Sequence, residues 1–437
     1  MTMRTVRGRP WLLALLLCGT LAAPLAATNG MYLVGYGAET IGRGGANLAI
    51  ADRSLALNFN PAGIAQLQGD HFTANLSVLA PDLNYRNMAN SSVDAQRRYF
   101  GMPSLAWVRS GKETRWAYGL GLVAQGGMGA SFQNQNTYFG TRDETWSEVR
   151  FGTLSPTVAY SLSDDMALGL TLNLGYADTS FRFFPHTSFF NTQNPAMSFF
   201  GVKMERAKGL QTSARVGWWW RATPRFSVGA VYQTKTHSQY KNGDMTVNFT
   251  AHPLLQQPVK YTARMDGFTF AAQAGVGFAY RPADRWVVAL DVKRNFWSDA
   301  VKVITVKATD PSIAGAPDVT LPFVFNWKDQ WVYALGVEFR TSDRLTLRAG
   351  YNYGENPVPS DTLNPLFPAT VEQHATFGFS YLSGATTWEF ALERAFEKTQ
   401  TNNNTDPMVN PFGPGSRVRH SQWTVSFGAS WALERRR

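Results

Sequence analysis

The sequence has almost no cysteine and no long apolar run beyond its first 27 residues. The one cysteine among 437 residues, Cys18, lies inside the N-terminal apolar stretch. The rest of the chain can therefore form neither a disulfide nor a thiolate site. No later run of 18 apolar residues is present to form a transmembrane helix. Charged residues make up only 16% of the chain, against about 25% in typical soluble domains, which argues against an ordinary soluble protein.

Motifs for catalysis and metal binding are also missing. Six histidines are scattered without HxxxH or HExxH spacing, and no GxSxG is present. We therefore predict that the chain is not an enzyme and holds no metal and no cofactor. The formal charge of +10 falls to +7 if Arg4, Arg7 and Arg9 leave with an N-terminal leader. A basic surface suits an anionic lipid headgroup layer, although solvated loops explain it equally well, and nothing indicates a nucleic-acid partner.

The N-terminus is typical of a secretory signal peptide. Three arginines precede an apolar run that begins at Trp11, and the small residues of AAPLAATNG follow. We predict that residues 1–27 are a signal peptide, cleaved after Ala26 or Ala27, and that the mature chain is exported.

What the chain does contain is 14% aromatic residues, 38 glycines and a repeated alternation of large apolar with small or polar residues. The mean hydropathy is only −0.22. This combination is typical of a transmembrane β-barrel, in which lipid-facing and lumen-facing residues alternate along each strand. The predicted lipid-facing stripes are Trp116, Tyr118, Leu120 and Leu122; Leu168, Leu170, Leu172, Leu174 and Tyr176; Phe268, Phe270, Ala272, Ala274, Val276, Phe278 and Tyr280; Trp331, Tyr333, Leu335, Val337 and Phe339; and Trp423, Val425, Phe427, Ala429 and Trp431.

Short polar turns separate these strands. They lie at residues 110–114, 163–165, 222–225, 281–284, 341–343 and 383–386. Six such turns, with longer connections between them, predict roughly 14 antiparallel strands and place both chain ends on the short-turn, periplasmic side. A soluble β-sandwich would also alternate, but it would not carry aromatic residues at both ends of so many strands. We predict that residues 67–437 form an all-β transmembrane barrel.

Charged residues occupy the opposite faces of several predicted strands. An arginine or lysine facing lipid at the bilayer midplane costs about 2–4 kcal/mol, so these side chains are predicted to point into the lumen and to pair or meet water. They are Arg215, Asp291, Lys293, Glu338, Arg340, Arg348, Glu389 and Glu393.

The segment before the barrel, residues 28–66, does not alternate. It is rich in glycine and in short apolar patches, and it contains Asn60-Pro61-Ala62-Gly63. It is too apolar for a free tail and too broken for a long helix, so we predict that it folds into the lumen as a hatch, as in other plugged barrels. Pro61 fixes a rigid bend and keeps Asn60 extended. The alternative is an ordinary turn that leads into the first strand.

The chain resembles the FadL family of outer-membrane transporters of long-chain fatty acids and other hydrophobic compounds. The resemblance rests on GRGGANLAIADRSLALNFNPAG, with Asn-Pro-Ala at Asn60, Pro61 and Ala62, on Trp297-Ser298, and on the block WKDQWVYALGVEFRTSDRLTLRAGYNYGENPVP at 327–359. It implies a 14-stranded barrel closed by an N-terminal hatch, in the outer membrane of a Gram-negative cell. One departure is the C-terminus, which continues past the last aromatic residue as ALERRR.

The predicted third strand is interrupted by QGGMGASF. Its glycines, Gly126, Gly127 and Gly129, weaken a strand and favour a bulge or kink. The resemblance implies that this strand kinks inward beside the Asn-Pro-Ala of the hatch and opens a lateral gap in the wall. The alternative is that small residues merely relieve crowding there.

The connection after the fifth strand is unusually rich in phenylalanine. Such residues in a water-facing loop indicate either a self-packed loop or a capture site for apolar ligands. The resemblance implies a low-affinity groove between this loop and the next long one. The residues are Phe183, Phe184, Phe189, Phe190, Phe199 and Phe200, with Leu254 and Leu255 from the next loop.

Together these features predict passive outer-membrane transport of long-chain fatty acids or similar hydrophobic compounds. The cargo would be captured by the loops, bound in a lumenal pocket and released laterally at the third strand. Arg348 or Lys293 would bind the carboxylate of a fatty acid. The sequence does not distinguish fatty acids from alkanes or aromatic hydrocarbons as the cargo. We expect a monomer embedded among outer-membrane lipids and lipopolysaccharide. A general diffusion porin and a surface adhesin are the alternatives.

Overall fold

The structure is a computed structural model that describes residues 29–96, 99–111 and 114–433. The predicted signal peptide lies outside the described residues. None of the helices in the described part of the chain is long and apolar enough to cross a membrane.

Nineteen strand segments form one antiparallel sheet, which closes where β19 pairs with β1 along Asp70↔Leu433 to Arg86↔Arg417. The segments are β1 Gly69–Asn87, β2 Asn90–Asp94, β3 Phe100–Ser110, β4 Trp116–Asn136, β5 Arg142–Ser163, β6 Met166–Phe189, β7 Phe199–Thr223, β8 Phe226–Gln233, β9 His237–Asn248, β10 Pro258–Phe268, β11 Ala272–Tyr280, β12 Trp286–Phe296, β13 Val301–Thr309, β14 Val319–Val324, β15 Gln330–Arg340, β16 Leu345–Gly354, β17 Gln373–Ser383, β18 Thr386–Asn402 and β19 Ser416–Leu433.

Five pairs of segments are single strands with a local break. The breaks separate β2 from β3, β8 from β9, β10 from β11, β12 from β13, and β14 from β15, and each pair continues along the same neighbours. The wall is therefore a ring of 14 barrel strands, in which β4 is the third and β6 the fifth. The predicted fold class, a 14-stranded barrel with a hatch in its lumen, is confirmed.

The outer surface follows the predicted stripes. Trp116, Tyr118 and Leu120 are each 44–51% exposed, whereas Ala117 between them is fully buried. The stripe predicted from Phe268 and Phe270 is wrong at its start, because these two side chains are buried in the interior. The register of β10 against β13 slips between Asp266 and Phe268, where Gly267 has a φ of +85°. A break at residues 269–271 follows, and β11 resumes the lipid-facing pattern from residue 272.

The six predicted short turns all join strands at one end of the barrel, which also holds the start of β1 and the end of β19. We call this the periplasmic end and the opposite one the extracellular end. Aromatic pairs mark the periplasmic rim, such as Trp116 with Tyr160, whose ring centroids lie 4.7 Å apart. The interfacial position of such rings is typical of outer-membrane barrels.

The hatch, residues 29–68, lies inside the barrel. It contains one short α-helix, α1 (Ala38–Gly42), and the 3₁₀ helices Ser54–Asn58 and Pro61–Gln66. Its apolar side chains are buried, including Leu48, Leu57 and Ile64. Three further 3₁₀ helices lie in the barrel connections and breaks, at Pro195–Met197, Trp297–Asp299 and Ser360–Thr362.

Glycines on the inner wall make room for the hatch. A Cβ on Gly121 would lie 2.5 Å from the Leu57 side chain, and one on Gly336 would lie 2.6 Å from the carbonyl oxygen of Arg43. Because a real Cβ cannot approach so closely, residues with side chains would force the hatch away from the wall. Other wall glycines in close contact with hatch atoms are Gly169, Gly217, Gly229, Gly277, Gly350 and Gly378.

Candidate transport path

The third barrel strand, β4, bends into the lumen at its glycines. Outer and inner faces alternate up to Ala124, but every residue from 125 to 132 is buried. Gly126 has a φ of +151°, and the register against β5 slips between Ala124 and Gly126. Only glycine adopts this backbone conformation without strain, so the slip in register requires a glycine at position 126.

The bend opens the hydrogen-bonded wall between β3 and β4. Their pairing runs from Ser110↔Ala117 to Ser104↔Val123 and stops there. Further toward the extracellular end, contact resumes through the Gln96 amide, which donates to the Ser131 carbonyl at 2.9 Å. We call the unpaired stretch between these points the wall gap.

An apolar groove of about 590 Å³ lies on the lipid-facing surface at the wall gap. Its floor includes small residues of β3, β4 and β5, and leucines that are about half exposed flank it. The main lining residues are Pro103, Leu122, Ala124, Gly152, Leu154 and Leu174. The groove therefore faces the region that lipid chains occupy.

On the lumenal side, the first residues of the hatch cover the wall gap. Tyr32 forms a β-bridge with Gly126, and a Cβ on Gly126 would overlap the Met31 carbonyl oxygen. The Tyr32 hydroxyl donates to the Ala271 carbonyl at 2.6 Å, and its ring lies 5.2 Å from that of Trp297. The Phe270 ring is tilted by 36° against that of Phe151, with centroids 4.3 Å apart. We call Tyr32, Phe151, Phe270 and Trp297 the aromatic seal.

Asn60-Pro61-Ala62 lies elsewhere, against the fifth and sixth barrel strands. The Asn60 side-chain amide donates to the carbonyls of Leu48 (2.8 Å) and Trp218 (3.0 Å), and its oxygen accepts from the Ala62 amide. The expectation that this motif faces the wall gap is thus corrected: it fastens the hatch to β7, and Tyr32 meets the kink.

Charged side chains fasten the hatch to the opposite wall. The Arg43 guanidinium pairs with Glu39 at 2.7 Å and with Glu338 at 2.9 Å, and Glu39 also accepts from Arg53 at 2.6 Å. Burial favours the neutral form of Glu39, but Arg53 and Arg43 together hold its pKa below the usual range. On β12, the strand next to β15, Asp291 accepts from backbone amides of the hatch, including that of Asn47 at 2.9 Å.

Arg348 and Lys293, the two residues predicted to bind a fatty carboxylate, both form ion pairs and hydrogen bonds with other protein groups. Arg348 is buried, pairs with Glu338 at 2.7 Å and donates to Ser380. Lys293 donates to the carbonyl of Gly45 at 2.7 Å and lies 3.3 Å from Asp291. Lys293 therefore holds the hatch, whereas the partners of Arg348 are wall residues, one of which, Glu338, also binds Arg43 of the hatch.

An apolar pocket lies on the extracellular side of the aromatic seal. Its free volume is about 20 Å³, so the surrounding rings nearly fill it. None of the described residues that line it is charged. They include Phe181, Phe268, Phe323, Phe325, Leu366 and Phe367.

The connection between β16 and β17, residues 355–372, closes this pocket from above. It folds into the barrel, buries Leu363 and Leu366, and ties itself to β19 through the carbonyl of Pro368, which accepts from His420 at 2.8 Å. These residues are not among those predicted from the sequence to bind cargo. The signal available was the unusual apolar content of a long connection, in LNPLFPATV.

The phenylalanines of the fifth and sixth strands form a packed surface cluster. β6 runs to Phe189 and β7 starts at Phe199, so the connection is only residues 190–198. The Phe199 ring lies 4.8 Å from Phe139, and the Phe190 ring lies 5.6 Å from His252 on the next connection. That connection carries Leu254, which is 87% exposed, and the partly buried Leu255. The remaining members, Phe183, Phe184 and Phe200, contact other rings of the same cluster.

Sequence comparison supplies the family. The outer membrane protein transport proteins (OMPP1/FadL/TodX) match residues 19–431. The chain belongs to this family. Membership in the FadL/TodX family makes it an outer-membrane transport protein and confirms the prediction that it is not an enzyme. Among curated protein sequences, none matches this chain.

Solved structures share the fold of this FadL/TodX family member. The Pseudomonas putida toluene transporter TodX is 19% identical, with a TM-score of 0.76 over 92% of this chain and 99% of that one. The Ralstonia pickettii toluene transporter TbuX is 20% identical, with a TM-score of 0.72 over 92% and 99%. A Pseudomonas aeruginosa FadL homologue is 16% identical, with a TM-score of 0.74 over 94% and 100%.

Proposed function

We propose that this chain carries small, uncharged hydrophobic compounds passively across the outer membrane and releases them sideways into the bilayer. The observation that carries the proposal is the alignment of three features: an uncharged aromatic pocket, an aromatic seal below it, and a wall gap beside the seal that faces an apolar external groove. No nucleotide or ion gradient is required.

In the proposed route, cargo first adsorbs to the phenylalanine cluster at the extracellular end. It then enters the apolar pocket, where the rings and the 355–372 connection shift to make room. Displacement of Tyr32 from Gly126 opens the way to the wall gap. Transfer from water into an apolar site releases about 0.8 kcal/mol per CH₂, and lateral exit keeps this gain because the cargo does not return to water.

Aromatic hydrocarbons are the cargo that we favour over long-chain fatty acids. The pocket is lined by phenyl rings and lacks a cation among its described residues. Of the two basic residues considered for a carboxylate, Lys293 binds the hatch and Arg348 is paired with Glu338. A buried carboxylate without a partner is costly. The similar proteins TodX and TbuX are described as toluene transporters. We expect the chain to act as a monomer surrounded by outer-membrane lipid and lipopolysaccharide.

Uptake by a Gram-negative host that lacks its own transporter of this family tests the proposal. Cells that express the chain should accumulate radiolabelled toluene several-fold faster than vector controls, with little change for laurate. Leu366→Asp, which places a charge in the pocket, should abolish the gain, whereas Met408→Asp on an exposed loop should not. Faster uptake of laurate alone would reassign the cargo, and no gain for either compound would reject the transport function.

A further inference from the structure

Arg215 on β7 is a buried cation that has no acidic partner among the residues that the structure describes. Its side chain points inward, and the residue is only 3% exposed. One guanidinium nitrogen donates to the side-chain oxygen of Gln233, while Nε and Nη1 have no partner among the described residues. Arg43 and Arg348, which are also buried in the lumen, both pair with Glu338. Arg215 differs from them because no described carboxylate neutralises its charge.

The guanidinium lines a small polar cavity of about 40 Å³ between the hatch and the wall. Tyr36, Asn47 and Asn58 of the hatch face it, and Lys293 and Gln273 face it from the wall. No acidic side chain is among the described residues that line it. The cavity is large enough for roughly one to three water-sized particles and too small for an aromatic ring.

The neighbours do not satisfy Arg215. An arginine has five N–H donors and no acceptor, and a buried charge without a partner costs several kcal/mol. The hydroxyl of Tyr36 donates its proton to the Gln125 carbonyl at 2.8 Å, and that of Tyr32 donates to Ala271. The site therefore offers positive charge, polar walls and a confined volume, which together select a small anion.

We infer that a small monovalent anion of halide size occupies this cavity and pairs with Arg215. Gln233 joins the site to the aromatic seal, because its side chain accepts from Arg215 and donates to the Tyr32 hydroxyl at 3.3 Å. An anion held there stabilises the hatch in the position that covers the wall gap. This inference does not depend on the identity of the cargo.

Bromide is the direct probe. Crystals of the full protein soaked in bromide should show an anomalous peak within hydrogen-bonding distance of the Arg215 guanidinium. The peak should be absent in Arg215→Gln and present in Arg348→Gln, a buried arginine that already has an acidic partner. No peak at Arg215, with bromide found elsewhere on the molecule, would overturn the inference and leave only a hydrated cavity.

Thermal unfolding in solution gives a second readout, because an anion that binds only the folded state raises its stability. Replacing chloride by gluconate at constant ionic strength should lower the wild-type midpoint by a few degrees and leave Arg215→Gln unchanged. An equal loss in both proteins would contradict the inference. Adding laurate to the bromide soak shows whether the natural ligand of Arg215 is a free anion or the carboxylate of a fatty acid. Loss of the bromide peak in the presence of laurate would assign the site to a carboxylate and overturn the inference. A retained peak would support a free inorganic anion.

Discussion

At the scale of single residues, the lumen is organised by charge pairs that fasten the hatch. Glu39 links Arg43 and Arg53, and Arg43 in turn reaches Glu338 on β15. Removing one member of a buried pair leaves its partner uncompensated, which is far more damaging than losing an exposed pair. The hatch should therefore loosen when Glu39 alone is neutralised.

We predict that Glu39→Gln lowers the free energy of hatch undocking by about 3 kcal/mol at pH 7. The pKa of Glu39 is lowered in the folded protein, so its contribution is complete above the unfolded pKa and is lost as the pH falls through the folded value. The difference between wild type and variant should stay constant from pH 7 to about pH 5 and shrink below that. Hydrogen exchange of hatch amides measures it.

The matched control is Glu397→Gln, which removes an exposed acid on β18 that lies 3.8 Å from Arg419. It should leave hatch protection unchanged. Equal protection in Glu39→Gln and wild type at pH 7 would mean that the charge pair does not hold the hatch.

Single positions were predictable wherever alternation continues. Leu120 and Leu122 face lipid because the period-two pattern and the cost of exposing polar groups to lipid leave one orientation. Phe268 and Phe270 were not predictable, since the register slips at Gly267 within β10 and a three-residue break follows Phe268, so the period-two pattern does not continue across them. The position of Asn60 depends on how the hatch docks, which local sequence does not encode.

At the scale of elements, the glycines of β4 can be recognised in the sequence, but what the kink does to the barrel wall depends on tertiary contacts. Its glycines predict a kink, but the loss of pairing with β3 and the bridge from Gly126 to Tyr32 depend on the hatch. The 355–372 connection is the converse case. Its apolar content indicates burial, but these residues have no period, so the sequence does not indicate that they fold inward over the pocket.

The extracellular phenylalanine cluster allows a test at this scale. If cargo adsorbs to this cluster, Phe199→Ala removes ring contacts between the protein and an aromatic cargo that are worth about 0.5–1.5 kcal/mol. The cargo concentration for half-maximal uptake should therefore rise about two- to tenfold, with an unchanged maximal rate. Initial uptake rates measure both quantities. Met408→Ala, which truncates an exposed apolar side chain on another loop, is the control. An unchanged concentration dependence would assign the cluster to self-packing alone.

At the scale of the whole molecule, the hatch and seal fill the lumen that a 14-stranded ring encloses. Purified protein in planar bilayers should therefore pass little steady ion current, and deletion of residues 28–66 should produce large, stable openings. A large steady current through the intact protein would favour the general diffusion porin. If surface adhesion were the function, the same deletion should leave adhesion intact.

The central claim is that cargo leaves through the wall gap, and plugging the external groove tests it most directly. Ala124→Trp with Gly152→Trp places two large rings in the groove, where a Cβ on Gly152 meets nothing closer than 3.6 Å. Ala349→Trp, on the lipid-facing side of β16, is the matched control. We predict that toluene uptake by the double variant falls to the vector level while the control transports normally. Wild-type uptake by a correctly assembled double variant would contradict lateral release.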